Sequence, residues 1–298
     1  MLAAGNRELV AVWALHLLFV ALTFVTYARL DPQELYNVSR DGLAGGASRA
    51  LVEVNYPLAL AAIAIIGICA GRLGSRPAAA AALAGVALCA AVPFVVDKSD
   101  LDARPANLVP AAGVVVAGVL TVLAIRRRPA EPVGPLRGDR VRVVLAAATA
   151  VMSIPWYFAE AGFYAPDPIL ADEPSPAEPI AAVHLGSHHG TEGAVLLVSA
   201  LLLSRLVPPL PLRTRAWVSS ALALMLAYGA AIAVEDFWHE QVVKRGSSSW
   251  KLPDMTLPSL SAGWLGIVVA AVLVEVLWFR RERRAADAVA EGGVPAPR

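Results

Sequence analysis

The sequence predicts an all-α, polytopic helical membrane protein, and three observations carry that expectation. Hydrophobic residues make up 57% of the 298 and charged residues only 16%, with a mean hydropathy of +0.61, a balance outside that of soluble domains. The apolar residues gather into runs of about 20, the length a helix needs to cross a ~30 Å hydrocarbon core. None of the runs alternates with the two-residue period of a barrel strand.

About eight membrane segments result, at 9–28, 52–71, 78–97, 107–125, 143–163, 187–204, 216–236 and 259–279. The first is too long for a removed signal sequence and lacks a cleavage-like site after it, so it is expected to stay as a helix. After it, LDPQELYNVSRDGLAGG suits a short helix begun by Asp31 and Pro32 and ended by Gly42 or by Gly45-Gly46. The second, third and fourth segments are rich in small residues, among them Gly67 and Gly71, which permit close helix approach. A basic loop, RRRPAEPVGPLRGDR, separates the fourth and fifth segments, and the Pro-rich, acidic APDPILADEPSPAEPIAAV separates the fifth and sixth. The latter reads as an extended, irregular lid. Residues 1–284 are expected to form one transmembrane domain, followed by a short disordered tail at 285–298.

Charge gives the orientation. An even helix count puts both termini on one side, and with both cytoplasmic that side collects seventeen of the twenty-five basic residues, including Arg7, Arg72, Arg76, Arg126–Arg142, Arg205 and Arg280–Arg284. Cytoplasmic loops retain Lys and Arg, so this arrangement is the favoured one. The other side holds seventeen acidic residues against eight basic ones, so the net charge of +1 hides two faces of opposite sign. Short juxtamembrane arginine clusters suit anionic headgroups, and membrane lipids rather than nucleic acid are the expected partners. Three lysines against twenty-two arginines, with abundant Ala, Gly and Pro, suggest a GC-rich bacterial gene and hence a bacterial plasma membrane. Cys69 and Cys89 fall at different depths in neighbouring segments and are expected to be free thiols.

HLGSHHGTEG, residues 184–193, holds three of the five histidines at the mouth of the sixth segment. Counting ~1.5 Å per residue from the arginines at the inner ends places Glu192 roughly 10 Å below the outer boundary, with His188 and His189 one turn higher. The same count puts Glu160, Asp236, Glu53 and Asn55 near one layer. Ionisable groups at that depth cost several kcal/mol unless they pair, line a wet cavity or bind an ion. His188 and Glu192 are i,i+4, His189 and Glu192 are i,i+3, and Asp236 is i,i+3 to His239 and i,i+4 to Glu240. A sixth helix begun as early as Ile180 would add His184 to the stripe. Asp236-Phe-Trp-His239 has the spacing of the acid-x-x-His element in di-metal bundles, an analogy of spacing alone.

Imidazole and carboxylate together suit a transition metal, with zinc or iron ahead of copper. The expected ligands are His184, His188, His189, Glu192, Asp236 and His239, with Glu160 or Glu240 as a further ligand or general base. The bland alternative leaves the histidines in a solvated loop, Glu192 at a helix start and Phe237 and Trp238 in the aromatic belt. His16, alone at mid-membrane, is expected to be a packed, hydrogen-bonded side chain. HEQVV at 239–243 lacks the second histidine of a zincin, GSHHG is not a nucleophile elbow, and no P-loop, GxGxxG or CxxC is present.

The function expected is an outward-facing metal pocket, as in a metal-dependent enzyme acting on a lipid or cell-envelope substrate. An ion- or proton-coupled transporter is the first alternative, against which stand inner helix halves that are apolar apart from Glu275 and His16. A non-catalytic assembly partner, contacting others through 165–183, is the second. Nothing in the sequence fixes the oligomeric state.

Overall fold

A computed structural model of the chain describes residues 4–97, 100–127, 135–136, 138–163, 172–173, 180–181 and 183–281. The tail at 285–298 and most of the Pro-rich 165–183 stretch lie outside these residues. Helix α1 (Ala4–Arg29) is followed by α2 (Gly42–Glu53), a π turn (Val54–Leu58) and α3 (Ala59–Leu73). Then come α4 (Arg76–Cys89), α5 (Val92–Val95), α6 (Leu108–Arg127), α7 (Asp139–Met152), α8 (Ile154–Glu160), α9 (His189–Ser204), α10 (Leu212–Trp238) and α11 (Ala262–Val274). Further π turns extend α10 over His239–Val243 and α11 over Glu275–Phe279. Helix covers most of each expected apolar segment, with breaks at Ala90-Ala91 and at Ser153.

Among the described residues, six helical stretches are long and apolar enough to cross a membrane, and α7 with α8 would be a seventh if their 55° bend is one span. The break falls at Ser153, two residues before Pro155, which has no N–H for the helix ladder. The protein is thus a helical membrane protein by length and composition. Helix α9, at 16 residues, is only about 24 Å long, and it is the most enclosed: nearly every side chain from Gly190 to Ser204 is buried against α1, α3, α7, α8 and α10.

The second segment departs from expectation. Helix begins at Gly42 and continues as one 32-residue stretch to Leu73, with Pro57 absorbed in the π turn, so Gly45-Gly46 does not end a helix but lies inside one. The reason is contact with α1: a Cβ at Gly46 would sit 2.5 Å from the Phe24 carbonyl oxygen. The same device seals α9 to α10, where a Cβ at Gly193 would sit 2.5 Å from the Gly229 oxygen.

The arginine end is tied by ion pairs that keep some access to solvent and by one buried arginine, Arg142. Arg205 meets Glu8 at 3.1 Å and Asp139 at 2.9 Å, Arg142 donates to Ser204 Oγ at 2.8 Å, and Arg72 donates to Asn6 at 3.3 Å. These join the matching ends of α1, α3, α7 and α9. At mid-height His16 Nε2 lies 3.1 Å from Ser199 Oγ, buried between α1 and α9, the packed role expected of it. Cys69 and Cys89 are buried free thiols.

Candidate metal centre

At the end of the bundle away from the arginines, the chain enters α9 through an irregular segment, Val183–His188. Irregular backbone beside an apolar bundle must have its polar groups satisfied by protein, and here it does. Leu185 bridges to Leu35, the Gly186 N–H donates to the Ala159 carbonyl at 3.1 Å, and the Ser187 N–H donates to Tyr27 Oη at 3.0 Å. Gly186 has φ +107°, and a side chain there would also run into Tyr27. The segment therefore turns on itself, and the His184 and His188 rings meet edge to face at 4.6 Å between centroids. Tyr36 packs on the other side of His184 at 5.2 Å.

Helix α9 begins at His189, with His188 as its N-cap, not at Ile180. His184, His188 and Glu192 are consequently not one helical stripe, and it is the turn at Gly186 that unites the two histidines. From α10, the π turn His239–Val243 supplies Glu240. Such turns widen the helix and re-aim the side chains beyond them. Donor atoms of His184, His188 and Glu240 all lie within 4.8 Å of one another. Two ligands on tetrahedral zinc stand about 3.4 Å apart, given bonds of about 2.1 Å, so a modest inward rotation closes the set.

The hydrogen bonds of His188 define its ligating atom. Its Nε2 lies 2.7 Å from the His184 carbonyl oxygen, which can only accept, so Nε2 carries the proton. Nδ1 then faces Asp236 Oδ2 at 3.6 Å. That is too long for a hydrogen bond and close to the spacing of two ligands on one ion. Asp236 Oδ2 is buried and accepts no hydrogen bond. Protonation of the ring or a metal ion bound between these atoms would satisfy both. Burial, and then the neighbouring His188, push the His184 ring down to about 3, so its lone pair is free at neutral pH. Lys244 Nζ holds Glu240 Oε2 at 3.0 Å.

The remaining expected residues divide elsewhere. His189 pairs with Glu192 at 3.4 Å, and His239 pairs with Glu235, not Asp236, at 3.4 Å. Glu160 stands in a second cluster, where Thr23 donates to its carboxylate and Thr26 to its backbone carbonyl. The centre of that cluster is Arg49, 2.6 Å from Glu53 and 4.0 Å from Glu192, with Ser187 Oγ donating to Glu53 at 2.9 Å. Arg49, Glu53 and Glu160 are buried. Sequence reasoning missed Arg49 and Glu235. Both are i,i+4 to their partners, and Arg49 was hidden because Gly45-Gly46 disguised the helix carrying it.

The donor set is two imidazoles and one carboxylate with a second carboxylate beside them, and no thiol. It can hold a metal ion with a coordination position left over. The chain matches no protein-family model, no curated protein and no solved structure.

Proposed function

We propose that this is an eight-span bacterial plasma-membrane protein, both termini cytoplasmic, that binds a transition metal through His184, His188 and Glu240 on the outer side. Asp236 is the fourth donor or the group that fixes the His188 ring. The observation that carries the reading is the convergence of three donor atoms within 4.8 Å, two from the turn before α9 and one from the end of α10. Zinc fits best, because neutral imidazole and carboxylate in a three-ligand set with an open position match its hydrolytic sites; iron is next. Activation of water for attack on an ester, amide or phosphoester of a lipid or envelope-linked substrate is the chemistry such a site supplies. Glu160 stands with Arg49, so the base role considered for it passes to Asp236.

Elemental analysis of protein purified in detergent without chelator tests this. Near-stoichiometric zinc or iron is expected in the wild type, with at least a tenfold loss of affinity in His188→Ala and in Glu240→Gln. Wild-type protein that stays metal-free after reconstitution with zinc, iron and copper ends the proposal.

A carrier is the second reading, favoured by the buried Arg49–Glu53–Glu160–Glu192 cluster beside the site and by the His16–Ser199 pair halfway to the arginine end. Zinc uptake into proteoliposomes driven by a pH gradient would select it over the enzyme.

A further inference from the structure

Helix α4 opens Arg76-Pro-Ala-Ala-Ala-Ala-Ala-Leu-Ala-Gly, side chains too small to fill the space to its neighbours. A groove lies on each side of it. One, about 590 Å³, runs against α3 and the start of α10, with Gly67, Gly71, Ala79, Leu83, Val86 and Trp217 on its walls. The other, about 350 Å³, runs against α6, with Ala78, Ala81, Val115, Val119 and Leu123. Ser75 lines both.

Each groove is closed at the same end by an arginine: Arg76 in the first and Arg127 in the second. Both are exposed, and neither forms an ion pair among the described residues. From Ser75 to Val86 the first groove extends about 16 Å along the helix, close to half a ~30 Å hydrocarbon core and so to the depth of one leaflet. Lipid tails are as apolar as leucine, so chains entering the grooves would not by themselves select a lipid. The arginines would, because a guanidinium at the membrane surface favours an anionic headgroup.

We propose that α4 is straddled by one anionic glycerophospholipid, its phosphate held at Ser75 between Arg76 and Arg127 and one acyl chain in each groove. The site is independent of the metal centre, which lies toward the opposite end of the bundle.

Trp217 in the groove wall provides the readout. Full-length protein, delipidated in detergent, is titrated with phosphatidylglycerol or phosphatidylcholine carrying brominated chains, and quenching of tryptophan fluorescence is followed. A saturable component is expected at about thirtyfold lower phosphatidylglycerol than phosphatidylcholine. It should vanish in Trp217→Phe, and Arg76→Gln/Arg127→Gln should bring the two lipids level. Ala79→Phe, which fills the groove at an exposed position, should remove the saturable component for both. Equal titration of the two lipids by the wild type overturns the proposal, as does a preference that survives loss of both arginines. Inorganic phosphate competing as well as the lipid would also overturn it, by showing an anion site without chains.

Discussion

The two ends of the bundle handle charge in opposite ways. At the arginine end, Arg205 shares Glu8 and Asp139 while remaining a quarter exposed, and those carboxylates also keep some access to solvent. At the other end Glu53, Glu160, Glu192, Glu235, Asp236 and Glu240 are all buried, while Arg49 is the one buried guanidinium described there. The first end gains little from its pairs, because exposed ion pairs contribute ~0–1 kcal/mol. The second gathers six buried carboxylates around one buried guanidinium, in surroundings where an unpaired charge costs several kcal/mol. Anchoring needs only the first arrangement. The second is stable only with a proton or a cation among the carboxylates, which is why the chemistry is assigned to that end.

The largest expected effect breaks the contrast directly. Arg49→Gln leaves Glu53 buried without its partner, a loss of ~3–5 kcal/mol, whereas Arg205→Gln should cost no more than ~1 kcal/mol. Unfolding of both variants in detergent decides it. Equal losses would mean that the two ends are energetically alike.

Next in size is the seam that holds the site. Gly193→Ala places a methyl against the Gly229 oxygen and the Ala233 nitrogen, both backbone atoms that cannot swing away, so α9 and α10 must separate. Overpacking of this kind costs ~1–3 kcal/mol. Because His188 rides on α9 and Asp236 on α10, metal affinity should fall with stability. A variant that loses stability but keeps full metal affinity would show that the two residues do not act together.

How much of this was legible beforehand depends on the physical quantity behind each feature. The all-helical, apolar architecture and the gathering of Glu53, Glu160, Glu192 and Asp236 toward one end of the bundle depend only on apolar run length and a fixed rise per residue, and both were readable. The pairing of side chains depends on where helices start and how they wind. His184 reaches His188 through a left-handed turn at Gly186, not through an early start of α9. Gly45-Gly46 reads as a stop from composition, because nothing local reveals that α1 lies against it. Arg49 went unseen for that reason.

A smaller effect sharpens the contrast through pH. In chelator-treated protein the His184 ring is held neutral, at about 3, while in the unfolded chain it titrates near 6.5. The unfolded state therefore binds the extra proton between those values, and stability contributed by the neutral ring is complete above about pH 6.5 and declines as pH falls toward 3. The decline should be ~1.4 kcal/mol per pH unit at most, seen as a falling Tm, and His184→Gln should flatten it. The arginine end has no histidine, so Arg205→Gln should leave the pH slope unchanged.

The smallest expected effect discriminates most finely between the two ways of reading the end of α10. If the helix is followed by eye at regular spacing, Asp236 and His239 form a ligand pair. In the structure His239 turns to Glu235 at 3.4 Å, and the π turn delivers Glu240 to His188 and His184 instead. His239→Ala should thus leave metal affinity within about twofold of wild type, whereas Asp236→Asn, beside the His188 ring, should lower it by about 10–100-fold. Zinc competition titrations on the two variants measure both numbers in one experiment. Large losses in both His239→Ala and Asp236→Asn would return the site to the regular-helix pairing.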